Sequence, residues 1–398
     1  MVVRPDNRPD FPPVFDVLVL ATRARAKVAG LTLAERARRV AVRAGAERVF
    51  VAVEGDAAGV TAWAAERPGS PLVVVDATDH AVHVPLLRAL ESADGAARLA
   101  VDPTDAFAGA LRADAARRAE LVTAATAGPA AVVALAQAWR TAGVATAAHG
   151  PVARHPARTP AERRAAYTYL YRGMVMKPQD SWLVRNINRK VSYPFTRLLI
   201  PLTWLSPNMI SIIVFLIGVS GCVYLTQPGY LPPVIGTSLL LFAGYLDGCD
   251  GEIARLRLES SKLGAWIDTM CDEATTVISI TCFGLHAYNS YGHTYLAWAA
   301  GTGGALAILS VYCVYYFLLA TGASNSQDYP ISGGLVDKLK MLVRRESINL
   351  WSFVACVAGL ADLLFALLLL GGVATAAILV PQHLALRRSR RVAAPSVA

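Results

Sequence analysis

Four aspartates carry the chemical question in this chain. Asp247, Asp250, Asp268 and Asp272 lie in DGCDGEIARLRLESSKLGAWIDTMCDE (247–273), flanked by the apolar runs VIGTSLLLFAGYL and ATTVISITCFGL. An ionised carboxylate in hydrocarbon is costly unless it is paired or bound to metal. Helical geometry places Asp247, Asp250, Gly251 and Ala254 on one face, and Gly264, Asp268 and Asp272 on one face of the next helix. The link between the two groups is short, so the helices are expected to be antiparallel neighbours with four carboxylates converging on one cavity. Like charges this close cannot all stay ionised without cations. Hard oxygen ligands at this density suit Mg²⁺ or Mn²⁺, and two ions are expected. Such a site suits phosphate chemistry: metal neutralises a diphosphate and stabilises the leaving group, while one carboxylate takes a proton from an attacking hydroxyl. Arg255 adds a rigid positive fork for phosphate oxygens.

The elements that must position these residues divide into two halves. Hydrophobic residues make up 55% of 398, but residues 1–175 are rich in Ala, Arg, Asp and Glu, whereas 207–386 contain long apolar runs. A soluble domain followed by a membrane domain is expected. Spans are predicted at about 208–226, 231–248, 265–287, 295–320, 347–361 and 363–385. Basic segments at 177–197, 255–262, 338–345 and 387–391 alternate with connections that hold no Lys or Arg, which places both termini in the cytoplasm under the positive-inside rule. The stretch DSWLVRNINRKVSYPFTRLLIPLTWL (180–205) reads as an amphipathic segment in the headgroup plane, the alternative being a helix packed on the soluble domain. The net charge of +9 crowds next to apolar runs, which favours anionic lipid headgroups as partner and argues against nucleic acid. All six cysteines lie in or beside the apolar half with no CxxC, as packing residues without a disulfide framework. The N-terminus lacks a basic region followed by a long apolar core, so no cleaved signal peptide is expected. A divalent-cation transporter is the alternative from another class, against which stand the one-sided placement of the acidic residues and the lack of an inverted repeat.

The aspartate stretch fits D-x2-D-G-x2-A-R-x8-G-x3-D-x3-D at Asp247, Asp250, Gly251, Ala254, Arg255, Gly264, Asp268 and Asp272. It resembles the signature of the CDP-alcohol phosphotransferases. The resemblance implies a six-helix membrane fold and transfer of a phosphoryl-alcohol group from a CDP-linked donor, CDP-diacylglycerol or a CDP-polyol, to an alcohol acceptor with release of CMP. It implies Asp247, Asp250 and Asp268 as metal ligands and Asp272 as ligand or catalytic base. Gly251, Ala254, Arg255 and Gly264 would line the cytidine diphosphate. LSPNMIS (205–211) resembles the family element that opens the first span, adding Asn208 and Ser211 as nucleotide contacts, with a capped helix N-terminus as the alternative. An inner-membrane, multi-pass location and a homodimer follow as family expectations. KPQDSWLVRNINRKVSYPFTRLL (177–199) further resembles the junction of fused inositol-phosphate cytidylyltransferase/di-inositol-phosphate-phosphate synthases. Glu273, where inositol-using members typically carry Arg, departs from that pattern and would repel an acceptor phosphate.

In the first half, DVLVLA, RVFVAVE and PLVVVDA alternate with Ala/Arg-rich helical stretches, which predicts an α/β domain with a parallel sheet. VAGLTLAERARRVAVRAGAERVFVAV is similar to the second block of the sugar-nucleotidyltransferases, and VVVDATDHAVHVPLLRAL to their metal-Asp strand end, with Asp76 or Asp79 as the equivalent. The Gly-rich loop that should precede them is missing: RARAKVAG has no glycine before Gly30, so Arg23, Arg25 and Lys27 lack a backbone cradle for phosphates. A degenerate nucleotidyltransferase-like domain is expected over 1–145, a linker and juxtamembrane amphipathic helix over 146–206, and the phosphotransferase domain over 207–398. The alternative is a bifunctional enzyme that makes its own CDP-polyol. His80 and His83, the close histidine pair, read as loop residues and not as metal ligands.

Overall fold

In the computed structural model, residues 15–21, 26–91, 96–150, 152–175, 184–321 and 345–393 are described. The chain forms two compact units: residues 1–179 with 197–204 and 252–259, and residues 180–196 with 205–251 and 260–398.

The first unit is built on a six-stranded sheet. Its strands are β1 (Asp16–Leu20), β4 (Arg48–Ala52), β5 (Leu72–Asp76), β7 (Arg98–Val101), β8 (Phe107–Ala113) and β9 (Ala145–Ala148), in the order β4-β1-β5-β8-β7-β9, while the short strands β2 (Lys27–Val28) and β3 (Leu31–Thr32) pair only with each other. The three apolar runs pair in parallel, with Asp16 in register with Arg48 and Leu72. The expectation of a parallel sheet needs correction beyond them: β8 runs antiparallel to both β5 and β7. The cause is local. Asp102 Oδ1 accepts the amides of Thr104 and Ala106, closing a tight turn over 102–106 that folds β7 and β8 into a hairpin. Residues 145–156, at the start of the expected linker, supply β9 and also β10 (Arg154–Pro156), which pairs with β6 (His80–Val82).

Strand β1 shows why the runs are continuously apolar. Val17 and Val19 join one buried cluster, with Val40 and Ala41 of helix α1 (Leu33–Arg43) and Leu86 and Leu87 of α3 (Val84–Arg88). Leu18 and Leu20 join another, with Val60 of α2 (Ala57–Ala65), Leu121 of α4 (Arg118–Ala127) and Trp139 of α5 (Pro129–Thr141). Helices therefore cover both faces of the sheet, so neither side-chain alternation can be polar. After β10 the chain enters α6 (Pro160–Met174), which opens on a capping box in which Thr159 and Glu162 satisfy each other's amides.

His80 is not a loop residue, since it opens β6, whereas His83 stands in the connection between β6 and α3, as expected. Burial pulls both imidazoles down to about 4, helped by Arg154 beside His80 and by Arg36 beside His83. A histidine held neutral in the fold contributes stability above its unfolded value of about 6.5, and this is lost as pH falls towards 4. The first unit is expected to lose stability between pH 6.5 and 4, by at most about 1.4 kcal/mol per pH unit for His83. Tryptophan-monitored unfolding of wild type against His83→Gln across that range checks this; the variant should show the shallower slope.

The second unit is helical. It contains most of α7 (Arg189–Leu199), then α8 (Pro207–Leu225), α9 (Leu231–Leu246), the start of α10 (Gly248–Leu256), α11 (Lys262–Tyr291), α12 (Thr294–Thr321), α13 (Arg345–Val357) and α14 (Ala361–Ala393). Four helical stretches are long and apolar enough to cross a membrane: Pro207–Leu225, Leu231–Leu256, Thr294–Thr321 and Ala361–Arg388. Of the other two expected spans, α11 is long enough but carries Asp268, Asp272 and Glu273, and α13 offers only Ser347–Val357 as an apolar stretch. The basic segment 338–344 and Arg23 and Arg25 lie outside the described residues. Large apolar side chains such as Leu216, Trp298, Leu319 and Leu370 point outwards, as a lipid-facing surface requires. Inside, Cys222, Cys282 and Cys356 pack with Leu225, Leu240, Phe283 and Phe365; all six cysteines are free thiols. In the amphipathic segment, α7 buries Ser192 and Thr196 and exposes Leu198.

Candidate active site

Two helices supply the aspartates. Asp247 follows the last turn of α9, and its amide still bonds to Ala243 O at 2.9 Å, so the turn holds its position. Asp268 and Asp272 stand four residues apart near the start of α11, whose first turn is capped by Ser261 Oγ accepting the Gly264 amide at 3.0 Å. One carboxylate oxygen each from Asp247, Asp268 and Asp272 lies within 4.8 Å of the others. At about 4 Å, two like charges repel by about 4 kcal/mol at the effective dielectric of a protein surface. Three such groups therefore call for cations, protons or both. The donor set fits a hard divalent ion: all oxygen, anionic, and half-buried at the mouth of apolar helices.

Asp250, expected as a fourth ligand, is not part of that triad. It is only 7% exposed; its Oδ2 accepts a short hydrogen bond from Ser211 Oγ and its Oδ1 one from the Gly251 amide. Asp268 is within hydrogen-bonding range of it, and Asp247 is a neighbouring charge. Asp250 thus borders the triad from the second layer of α8–α10. Ser211, read from sequence as a nucleotide contact or part of a capped helix N-terminus, lines the cleft and donates to Asp250. The cap of α8 is Ser206, which accepts the Met209 amide at 3.3 Å. That leaves Asn208 available for another role. Its Oδ1 is 2.9 Å from where a Cβ on Gly264 would stand, so the two expected nucleotide residues adjoin and Gly264 keeps the space between them open. Gly251 stands next to Asp250 on α10, while Ala254 and Arg255 lie further along the same helix, with Ala254 O accepting the Glu259 amide at 2.7 Å.

The cleft beside the triad is lined by Ser211, Gly244, Asp247, Asp268, Asp272, Thr275 and Asn349, among others. Sequence reasoning missed Asn349, an amide on α13 whose Nδ2 is 2.8 Å from a Cβ position at Gly244. The signal was an asparagine in the otherwise apolar stretch INLWSFVACV. Glu273 turns to α12, where its Oε1 accepts from Tyr315 at 3.4 Å. Ser211→Ala should raise the Mg²⁺ concentration for half-maximal activity by roughly tenfold, the loss expected for a hydrogen bond to a charged group. Donor KM should hardly move; the opposite pattern would make Ser211 a nucleotide contact.

Residues 204–378 match the CDP-alcohol phosphatidyltransferase family, so the C-terminal half carries a domain of that family. Among curated proteins the chain is similar to a bifunctional IPC transferase and DIPP synthase of Aquifex aeolicus, 30% identical over 33% of this chain and 30% of that protein. It is likewise similar to proteins of the same description from Thermococcus kodakarensis, 34% identical over 29% of this chain and 25% of the relative, and from Rubrobacter xylanophilus, 39% identical over 25% and 21%. The chain thus matches under a third of the length of these relatives.

Proposed function

We propose that the protein transfers the phosphoryl-alcohol group of a CDP-linked donor to the hydroxyl of an alcohol acceptor, releasing CMP. The observation that supports this most is the convergence of Asp247, Asp268 and Asp272 within one family domain. These three would hold Mg²⁺ or Mn²⁺, with Asp250 completing a two-ion set. When bound, the metal neutralises the donor diphosphate and stabilises the departing CMP. The chain's own residues supply the rest. Asn208, Gly251, Ala254, Arg255 and Gly264 bind the cytidine diphosphate, and Asp272 accepts the hydroxyl proton of the acceptor. That oxygen forms a bond to the phosphorus bearing the donor alcohol; the anhydride bond breaks and its electron pair leaves with CMP. Six spans, both termini cytoplasmic and an inner-membrane location belong to the same reading, as does assembly as a homodimer.

The donor is CDP-diacylglycerol or a CDP-polyol. The description of the named relatives, IPC transferase and DIPP synthase, favours a CDP-polyol donor, whereas Glu273, where inositol-using members carry Arg, disfavours a phosphorylated acceptor. The first unit is read as a degenerate nucleotidyltransferase. Its candidate metal aspartates are taken up by arginines: Arg154 reaches Asp76 and Arg158 reaches Asp79, each at 3.5 Å, and Arg154 also meets His80 Nδ1 at 3.1 Å. Gly109, at φ +77°, leaves room for that guanidinium; a Cβ there would stand 2.5 Å from it. The bifunctional character of the relatives keeps the bifunctional reading as the second one.

Purified full-length protein with Mg²⁺ and CDP-diacylglycerol or CDP-inositol, against a panel of alcohols, should release CMP with at least one donor, and EDTA should abolish the release. Silence with both donors would overturn the reading. CMP release from CTP plus a polyol phosphate, without a premade donor, would establish the bifunctional alternative.

A further inference from the structure

Within the second unit, the α8–α9 connection, the end of α11 and the α13–α14 turn meet around a cavity of about 290 Å³. Its wall takes Tyr230 from the connection, His286, Ser290 and Tyr291 from the last turns of α11, Cys356 from α13 and Asp362 from the start of α14. On α11, His286 follows Asp272 by fourteen residues, which is about 21 Å along the axis at the α-helical rise. The cavity is therefore separate from the aspartate cleft.

The hydrogen bonds of this wall leave it rich in acceptors. His286, 6% exposed, holds its Nδ1 at 2.7 Å from Gln227 O. A carbonyl only accepts, so Nδ1 carries the hydrogen and the neutral ring keeps a lone pair at Nε2. That lone pair has no partner among the described residues. Tyr230 gives its hydroxyl hydrogen to Val357 O and Tyr291 gives its own to Asp362 Oδ2, each at 2.7 Å. Both phenol oxygens can then only accept further bonds. Of these side chains, Ser290 and the weakly donating Cys356 thiol alone retain a hydrogen for the cavity.

Asp362 supplies the charge. Its Oδ1 is buried and accepts no hydrogen bond, and Tyr291 is the partner of its other oxygen. No Lys or Arg lines the cavity. A carboxylate held this way against an apolar bundle is costly unless a counter-charge stands beside it. A metal ion is a poor candidate for that charge. Among the described residues, the group of three acidic, histidine or cysteine ligands within reach of one ion is the aspartate triad, so His286, Cys356 and Asp362 do not close a metal site. The cavity also has room for several non-hydrogen atoms, more than one ion fills. A primary ammonium meets every feature: three N–H donors for the lone pairs, a positive charge for Asp362, and the rings of Tyr230 and Tyr291 as cation–π partners.

We propose that this cavity binds a primary ammonium group, with Asp362 as its counter-ion and His286, Tyr230 and Tyr291 as its hydrogen-bond acceptors. Tyrosines at the ends of spanning helices stand at headgroup depth, so the amine of a lipid headgroup and a free amine both have access. The site does not depend on the phosphotransfer reading.

The test uses the full-length protein in a non-ionic detergent. Dihexanoyl phosphatidylethanolamine, dihexanoyl phosphatidylcholine, ethanolamine and ZnCl₂ are titrated against the melting temperature, with saturation-transfer NMR for the organic probes. The ethanolamine lipid should bind saturably and at least about tenfold more tightly than the choline lipid, whose trimethylammonium has no N–H. Asp362→Asn keeps an acceptor for Tyr291 and removes the charge, so it should weaken binding about tenfold or more. Ser290→Lys, at an exposed position, brings an ammonium of its own into the cavity and should abolish binding. Ethanolamine bound as tightly as its lipid would assign the site to a free amine; binding of the lipid without ethanolamine would assign it to a headgroup. Equal affinity for the two lipids, amine binding that survives both substitutions, or no saturable amine binding would overturn the proposal. So would stabilisation by Zn²⁺ in place of the amines, lost in Asp362→Asn. If Asp362→Asn does not fold, Ser290→Lys decides alone.

Discussion

Asp268→Asn is expected to lower CMP release by about a thousandfold while leaving the protein folded. A factor of this size is about 4 kcal/mol of transition-state stabilisation. Asp268 contributes an oxygen to the triad with Asp247 and Asp272, and it is also the triad member within hydrogen-bonding range of Asp250. An amide keeps the shape of the side chain but removes the charge, so it weakens the hold on a divalent ion and loosens the contact with Asp250 together. Stability should move the other way. In EDTA the wild-type triad crowds like charges at close range, and removing one relieves part of that repulsion. The variant should therefore melt at the same temperature as wild type or slightly higher without metal, and gain less from added Mg²⁺. Parallel melting curves with and without Mg²⁺, together with CMP release, check both halves. Activity within tenfold of wild type would remove Asp268 from the metal centre.

Gly236→Val should be nearly as damaging by a different route. Gly236 on α9 faces Gly221 on α8: a Cβ on Gly236 would stand 2.6 Å from Gly221 O and 2.9 Å from Leu225 N, and one on Gly221 would stand 2.7 Å from Gly236 O. The obstacles are backbone atoms, which cannot rotate away, so the helices must separate. Overpacking of this kind costs about 1–3 kcal/mol or more. For a domain of this size that is a fall of roughly 2–12 °C in melting temperature. The site should suffer with it, because α8 carries Ser211 and α9 leads directly into Asp247. A loss of at least about a hundredfold in CMP release is expected in the fraction that stays folded, since small misplacements of catalytic groups cost that much. Gly301→Ala is the control: nothing stands within 4 Å of a Cβ there, and both readouts should stay near wild type.

Much of the site was legible in the sequence because it obeys helical spacing. Asp268 and Asp272 are one turn apart, and a short link fixes the neighbouring helix that brings Asp247 to them. What periodicity cannot carry is the choice of partner for a short polar side chain. Ser211 reads as a cap or a ligand contact; only packing shows that it donates to Asp250. Asn349 was hidden for the same reason. In the first unit, β1, β4 and β5 were visible as apolar runs buried on both faces, but the β7–β8 hairpin lay in an Ala-rich stretch whose turn residues, DPTD, were the one clue to its reversal. The grip of Arg36 on Leu256 spans 220 residues of sequence, and nothing local in AERARR distinguishes it from an exposed basic helix face.

The central claim is that a phosphoryl-alcohol group moves intact from nucleotide to acceptor. A donor labelled with ³²P in the phosphate adjoining its alcohol tests it most directly, incubated with the full-length protein, Mg²⁺ and an alcohol acceptor. The label should appear in a phosphodiester of the two alcohols, in amounts equal to unlabelled CMP. Label found instead in the free alcohol phosphate, or left in the nucleotide, would make the aspartate centre hydrolytic or inert and would contradict the account.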